Sequence, residues 1–400
     1  MHIGPPKTGT TAVQRAFHVR RSDLREHGVV FPGRSTRSRE AGWAVVGAGT
    51  PRGRANPKLS AWRALVDEVA AAGDRRVLIS NESFADGYAD AVKTIVDGLG
   101  GERVHVVHTV RRVDKLLNSH WQQRVRAGLT VPYDEWLQIV LGDPDPTNVH
   151  WRGFWRHHDL SDVLDRWVNA ASSDRMTLII ADESDHELLP RLFERFLGLP
   201  EGFLPLDADR SNRSLSLNEI EMLRQLHVRA SEANWSDELF RQVLRFGVVD
   251  QLTAMERNPN DEHIELPAWA AKRAAEINDE RIEVVRSFGA RVVGDPDLLR
   301  SAPFDDRSAL DATTDLRVTS EVAARAIAAA VAAGERRLAR EQKAAANKLT
   351  NEREEREKIA AHASALEARE AAVRQVDDLR SRELVSELRA RVVRRLRRRS

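Results

Sequence analysis

Cysteine is absent from the 400-residue chain, which excludes disulfides, thiolate nucleophiles and Cys-based zinc sites and fits a reducing compartment. No apolar run approaches the roughly 18 residues that mark a membrane-spanning helix. The opening residues MHIG lead straight into a loop, which leaves no room for the charged and apolar regions of a signal peptide. A cytoplasmic protein is therefore expected. An excess of one charge is missing too: 62 Lys and Arg against 61 Asp and Glu leave a formal net charge of +1. With no overall attraction to nucleic acid, any electrostatic function must come from local clustering. Lysine is scarce beside arginine, so a lysine inside a glycine-bounded loop stands out. From residue 321 onward there is no proline and one glycine, Gly334.

What is present in the first 300 residues is an alternation of short apolar, β-branched runs with longer helix-like stretches. The runs fall at residues 1–4, 76–81, 103–110 and 176–182. Helical periodicity predicts helices over 11–27, 61–72, 90–99, 116–126 and 188–197, a further helix opened by SLSLNEIEMLRQL, and a last αβ-like unit at 291–299. The pattern is that of an α/β domain with a central parallel sheet and crossover helices. A Gly-, Pro- and Arg-rich stretch at 33–57 is long enough to be a lid or an acceptor-binding segment. Residues 301–319 turn polar and acidic and read as a linker. Residues 320–400, with Ser320 as a candidate N-cap, are rich in Ala, Glu, Arg and Leu and predict one long helix or a helical pair. Ile359, Leu366 and Val373 recur every seven residues, but His362 and Glu370 interrupt the seam, so a coiled-coil homo-oligomer is one expectation. The ending RVVRRLRRRS is a basic, partly amphipathic tip suited to peripheral contact with an anionic surface such as the inner membrane face, or else a frayed solvated helix end.

The stretch GPPKTGTT at 4–11 almost spells a nucleotide-binding P-loop, but Thr10 stands where the P-loop lysine belongs and Lys7 lies inside the loop. Gly4 ends a short strand, Gly9 permits close backbone approach, and Thr10 and Thr11 open a helix whose first amides carry partial positive charge. An anion is expected there, with hydroxyl donors from the paired threonines and a charge from Lys7. Pro6, Lys7, Thr8, Gly9, Thr10 and Thr11 resemble, residue by residue, the P-K-[ST]-G-[ST]-[ST] loop of the sulfotransferases that use 3'-phosphoadenylyl sulfate, PAPS. The resemblance implies a P-loop-like three-layer fold in which the loop clasps the 5'-phosphosulfate and Lys7 reaches the oxygen bridging phosphorus and sulfur.

A second element of that family, a strand-end Arg and a Ser eight residues later gripping the 3'-phosphate, matches Arg111 and Ser119. Arg112 competes, but the spacing favours Arg111. The third is Glu82 in ISNESFADGY, after a strand and so at the sheet edge where ligands of open α/β sheets collect. It is similar to the strand-end glutamate base of carbohydrate sulfotransferases, although the lysine that family places between Glu and Ser is missing here. A helix-capping or salt-bridged Glu82 is the alternative. Histidine is the base in the cytosolic small-molecule enzymes, and His108, near the active edge of its strand, is the candidate, while His105 reads as packing. His157 and His158 lie among tryptophans that either line an acceptor pocket or pack as a cluster, with core packing favoured for Trp151 and Trp155. Asn212 and Ser214 are similar to a short N-x-S element near the cofactor in related bacterial enzymes, with helix capping by Ser214 or Ser216 as the alternative. No two histidines stand at a persuasive metal-ligand spacing, and no metal is expected.

The resemblance covers residues 1–300 and implies sulfuryl transfer from PAPS to a hydroxyl or amine, with a carbohydrate, glycolipid or small molecule as acceptor. Two alternatives remain at this level. A nucleotide-dependent kinase needs a lysine after Gly9, which is absent. A scaffold on a degenerate nucleotide-binding fold, carrying the long basic helix, needs none of these motifs.

Overall fold

The computed structural model describes the chain except residues 34, 37, 48–49, 51–54, 186, 206–213, 257–262, 302–317 and 398–400, and the side chains of 393–397. The chain divides into two compact units, Met1–Val331 and Ala332–Ser400. Most of the expected 301–319 linker lies outside the described residues.

The first unit is mixed α/β and mostly helical, built on short parallel strands. β1 (Val29–Val30) pairs with β2 (Arg76–Val77). β3 (Val106–Val110), β4 (Met176–Ile180) and β5 (Arg291–Val293) pair in that order. The expected strand at 1–4 is reduced to a single parallel bridge of His2 with both Ser80 and Val107. It nonetheless joins the two sheets, because Ile79 and Val107 carbonyls accept from His2 and Ile3 N–H at 2.7 and 2.9 Å. Residues 1–4 thus lie in the middle of the parallel array. β3 and β4 are buried at every position, as expected for parallel strands covered on both faces.

Alternate strand residues feed two cores. Val106, Val110, Leu178 and Ile180 pack with one set of helical residues, including Trp62, Ile95, Trp167 and Ile282. Val107 and Ile179 pack with Val13, Phe17, Leu192 and Phe193. Helices therefore cover both faces of the array. α1 (Thr10–Val19) is shorter than the sequence suggests, and residues 23–27 form a separate 3-10 turn closed by Gly28 at φ 68°. α2 (Arg39–Val46) occupies the stretch expected to be a lid, with Ala41, Gly42, Trp43 and Val46 buried. A Cβ on Gly42 would lie 2.4 Å from Asn81 Nδ2, so this segment is packed onto the body rather than free above it. α3 (Ser60–Ala70), α4 (Ala89–Gly98) and α5 (Val113–Arg126) follow.

Three further helices, α6 (Tyr133–Leu141), α7 (Val149–His158) and α8 (Leu160–Ala171), separate α5 from β4. Pro132 and Gly142 bound α6. Short capping side chains set the limits of the other two: Asn148 accepts from the first amides of α7, and Asp159 ends α7 and caps α8. After β4 come α9 (Leu188–Leu197), α10 (Leu217–Glu232), α11 (Asp237–Phe240), a π-helical segment at Arg241–Val249, α12 (Asp250–Ala254) and α13 (Ala268–Ser287). A capping box of Ser216 with Glu219 starts α10.

α14 is one continuous helix, Ser320–Arg397, entered through Thr319, whose hydroxyl accepts from Val322 N–H at 3.3 Å. The cap is therefore Thr319 and not Ser320. Ala326 and Ala329 are buried within the first unit. In the second, Ile359, Leu366 and Val373 are exposed, and ion pairs such as Arg353 with Glu357 at 3.1 Å run along the surface. No described helix is long and apolar enough to cross a membrane.

Candidate active site

The loop between residues 1–4 and α1 is built on two left-handed residues, Lys7 at φ 72° and Gly9 at φ 86°. Glycine adopts that conformation freely and lysine does not, so the backbone of Lys7 carries strain that neighbouring contacts must hold. Thr8 contributes by donating its hydroxyl to the Pro5 carbonyl at 2.8 Å. Backbone that passes in and out of the left-handed region, as it does at Lys7 and Gly9, is the kind that can gather successive amides around an anion. At its rim α1 begins with no side-chain cap and no acidic residue in the first turn, which leaves its amides available to a ligand. Thr10 is buried under the helix start and Thr11 is exposed.

Three cations converge on this loop. Arg111 leaves the end of β3 and donates Nη1 to the Lys7 carbonyl at 2.6 Å. Arg126, from the last turn of α5, is close enough to act on the Lys7 ammonium. Burial, then repulsion from Arg126 and Arg111, lowers the Lys7 pKa to about 8. Arg112 is turned away, its fork engaged by Asp114 with Nε to Oδ1 at 3.1 Å, and Asn278 donates to the same carboxylate. Of the two neighbouring arginines it is Arg111 that meets the loop.

The Arg111 fork is itself occupied. Glu183, beyond β4, accepts from Nε at 2.5 Å and from Nη2 at 2.7 Å, and this pairing holds the Glu183 carboxyl below its usual range. A phosphate at Arg111 has to displace or share this carboxylate. Ser119, midway along α5, is half-buried, and its hydroxyl has no partner among the described residues. It remains available as a donor.

Glu82 is brought to the same helix start by a side chain the motifs do not include. Gln14, one turn into α1 and 1% exposed, donates to Glu82 Oε2 at 3.1 Å and to the Ser80 carbonyl and hydroxyl at 3.3 Å. Asn81 fixes the turn by accepting from Ser83 N–H at 3.0 Å and donating to the Ser38 carbonyl at 2.9 Å. Glu82 opens a 3-10 turn, Glu82–Asp86, whose other end is anchored by Arg166 donating to the Ala85 carbonyl at 3.1 Å.

The remaining candidates separate. His108 sits inside the sheet at 1% exposure, and burial, followed by repulsion from Arg281, lowers its pKa to about 3. His105 pairs with the Thr177 hydroxyl at 2.8 Å, a packing role. Asn212 lies outside the described residues. Ser214 is exposed, and the cap of α10 is Ser216. Trp151 and Trp155 are half-buried and, with His158 and Arg281, line a cleft of about 280 Å³; neither is core.

No family model, curated protein or solved structure matches the chain. What the site can do is therefore argued from its own geometry. A strained loop, an uncapped helix start and converging cations describe a place for a compact, highly charged anion. Gln14, Arg126 and Glu183 are the participants the motifs did not include. Arg126 and Glu183 are long-range neighbours with no fixed spacing from the loop, whereas Gln14 follows it within α1 and is set apart only by what it reaches, Glu82 and Ser80.

Proposed function

We propose that the protein moves a sulfuryl group from PAPS to a hydroxyl or amine acceptor, with a carbohydrate or glycolipid as the favoured class. The observation that carries this reading is the convergence of Lys7, Arg111 and Arg126 on the loop before α1, with Glu82 tethered to that same helix through Gln14. The central place of residues 1–4 in the array accords with a P-loop-like domain, where ligands gather at the carboxyl edge of the strands. Lysine inside the loop suits a phosphate bearing one sulfuryl group better than a metal-bound triphosphate.

In this reading the loop amides and Thr10 and Thr11 hold the 5'-phosphosulfate, while Arg111 and Ser119 take the 3'-phosphate. The acceptor oxygen or nitrogen forms a bond to sulfur as the bond from sulfur to the bridging oxygen breaks. Glu82 takes the acceptor proton. The bridging oxygen keeps the electron pair, and its growing charge is met by the Lys7 ammonium and the α1 amides. The low basicity that burial imposes on His108 favours Glu82 as the base.

Transfer from radiolabelled PAPS to a panel of glycans, glycolipids and small alcohols tests the activity. Thermal shift with adenosine 3',5'-bisphosphate against ATP with magnesium tests the site. The bisphosphate should stabilise selectively, and Lys7→Ala should lower turnover about 100- to 1,000-fold while leaving the fold intact. Normal turnover by that variant overturns the assignment, and indifference to both ligands favours the scaffold.

A further inference from the structure

We infer that His120, His157 and His158 form a site for one zinc-class divalent cation, clamping α5 to the end of α7 beside the candidate active site. A ring nitrogen from each of the three lies within 4.8 Å of the others. The rings are 5%, 7% and 2% exposed. Nδ1 of His120, Nε2 of His157 and both nitrogens of His158 are buried and have no hydrogen-bond partner among the described residues. Unsatisfied buried polar atoms are uncommon and call for an explanation, and four on three adjacent rings share one economical explanation.

The surroundings favour coordination over mere packing. His157 directs Nδ1 to Asp86 Oδ1 at 2.8 Å, which orients the ring and leaves Nε2 for the metal; carboxylate support of this kind is usual for histidine ligands. His157 and His158 are the last residues of α7, where the helix dipole is negative and favours a cation. His120 stacks on Trp136 at 5.9 Å and meets Phe154 at 5.1 Å, so its ring is held from behind. Burial keeps His120 and His158 well below the ordinary histidine pKa, so both are neutral and ligand-competent at pH 7. Three imidazoles with no thiolate select zinc, cobalt, nickel or copper over magnesium or calcium. A tetrahedral zinc with bonds of about 2.0–2.1 Å holds its nitrogens about 3.3 Å apart, so metal binding draws the rings together by up to about 1.5 Å. Opposing charges come from Arg281, Arg124 and Lys7, with Asp86 as the nearest compensating carboxylate.

The test uses the untagged full-length protein, stripped with EDTA and titrated with Zn²⁺ and with Co²⁺. The expected result is one equivalent bound, visible cobalt absorption of a four-coordinate nitrogen-rich site, and a raised Tm. Asp86→Asn keeps all three rings and should weaken zinc about 10- to 100-fold. His120→Phe preserves the packing against Trp136 and Phe154 and should abolish the cobalt bands and the Tm rise together. A wild-type protein with neither bands nor Tm rise overturns the inference, as does undiminished binding by His120→Phe. Should His120→Phe fail to fold, zinc affinity equal in wild type and Asp86→Asn overturns it. None of these readouts depends on sulfuryl transfer.

Discussion

The charge state of Lys7 offers the sharpest test of the loop. With a pKa lowered to about 8 by burial and by Arg126 and Arg111, the free protein loses this ammonium as pH rises above 8. A bound bisphosphate supplies the missing counter-charge, which raises the Lys7 pKa toward its ordinary range. Between those two values the complex holds one proton more than its separated components, so binding takes up a proton and weakens as pH rises. The loss is about tenfold in Kd per pH unit, or about 1.4 kcal/mol. Calorimetric titration with adenosine 3',5'-bisphosphate should therefore give a Kd nearly constant from pH 6.5 to 7.5 and about tenfold weaker near pH 9, since phosphate ionisation, near pH 6, is already complete. Lys7→Arg stays charged throughout and should flatten the profile; Lys7→Met should be flat and weak. A wild-type Kd that does not change up to pH 9.5, or an equal slope in Lys7→Arg, refutes the placement of Lys7 against the anion.

Other consequences follow from the same contacts. Without ligand, charged Lys7 is penalised in the folded state, and the penalty is full below pH 8 and fades as pH rises toward 10.5; Lys7→Met should raise the Tm at pH 7 while losing bisphosphate binding. Glu183→Gln opens the Arg111 fork and removes a negative charge beside it, so bisphosphate should bind several-fold tighter by calorimetry; weaker binding would show that Glu183 positions Arg111 instead of competing with the ligand. Gln14→Leu removes the amide that donates to Glu82 Oε2 and to the Ser80 carbonyl and hydroxyl and should cost about 1 kcal/mol in denaturant unfolding, with a disproportionate fall in transfer rate. The exposed Ile359, Leu366 and Val373 lead us to expect self-association through α14, measured as a larger sedimentation coefficient per chain mass than in a chain ending at residue 331; identical oligomeric states would remove it.

What was legible in the sequence was whatever depends on neighbours along the chain. The loop at 4–11, the strand end at Arg111, the helix at Leu188–Leu197 and the long terminal helix all announce themselves through spacing and local chemistry. The starts of α3, α4 and α9 were read to within a residue from periodicity alone, whereas α7 and α8, which begin at the Asn148 and Asp159 caps, were not read. The 33–57 stretch was read as a loop, a lid or an acceptor-binding segment, because its Gly, Pro and Arg content hides the buried face of α2, which packs with Asn81 under Gly42. The His cluster was invisible for the same reason. His157 and His158 are adjacent, but their third member is 37 residues upstream on another helix, a separation that matches no metal motif. Glu183 and Arg126 likewise enter the site only through tertiary packing, and Gln14, though next to the loop in sequence, meets Glu82 only across the fold.

The tertiary contacts also bear on why Lys7 stands where it does. Placed after Gly9, a lysine would project from the helix start toward a second and third phosphate. At position 7 it sits in a left-handed conformation, beside two arginines and partly removed from water. Each of those features is unfavourable in the isolated protein, and the Glu183 carboxylate engages Arg111 and not the lysine. Strain and like charge concentrated at one loop persist when the surrounding structure holds them for a ligand. In the proposed reading, a monophosphate-sized dianion relieves the repulsion among Lys7, Arg111 and Arg126 at once. The displaced lysine then suits a short, doubly charged group at the helix start, and the magnesium-bound tail of a nucleoside triphosphate would find no lysine in the place where it needs one.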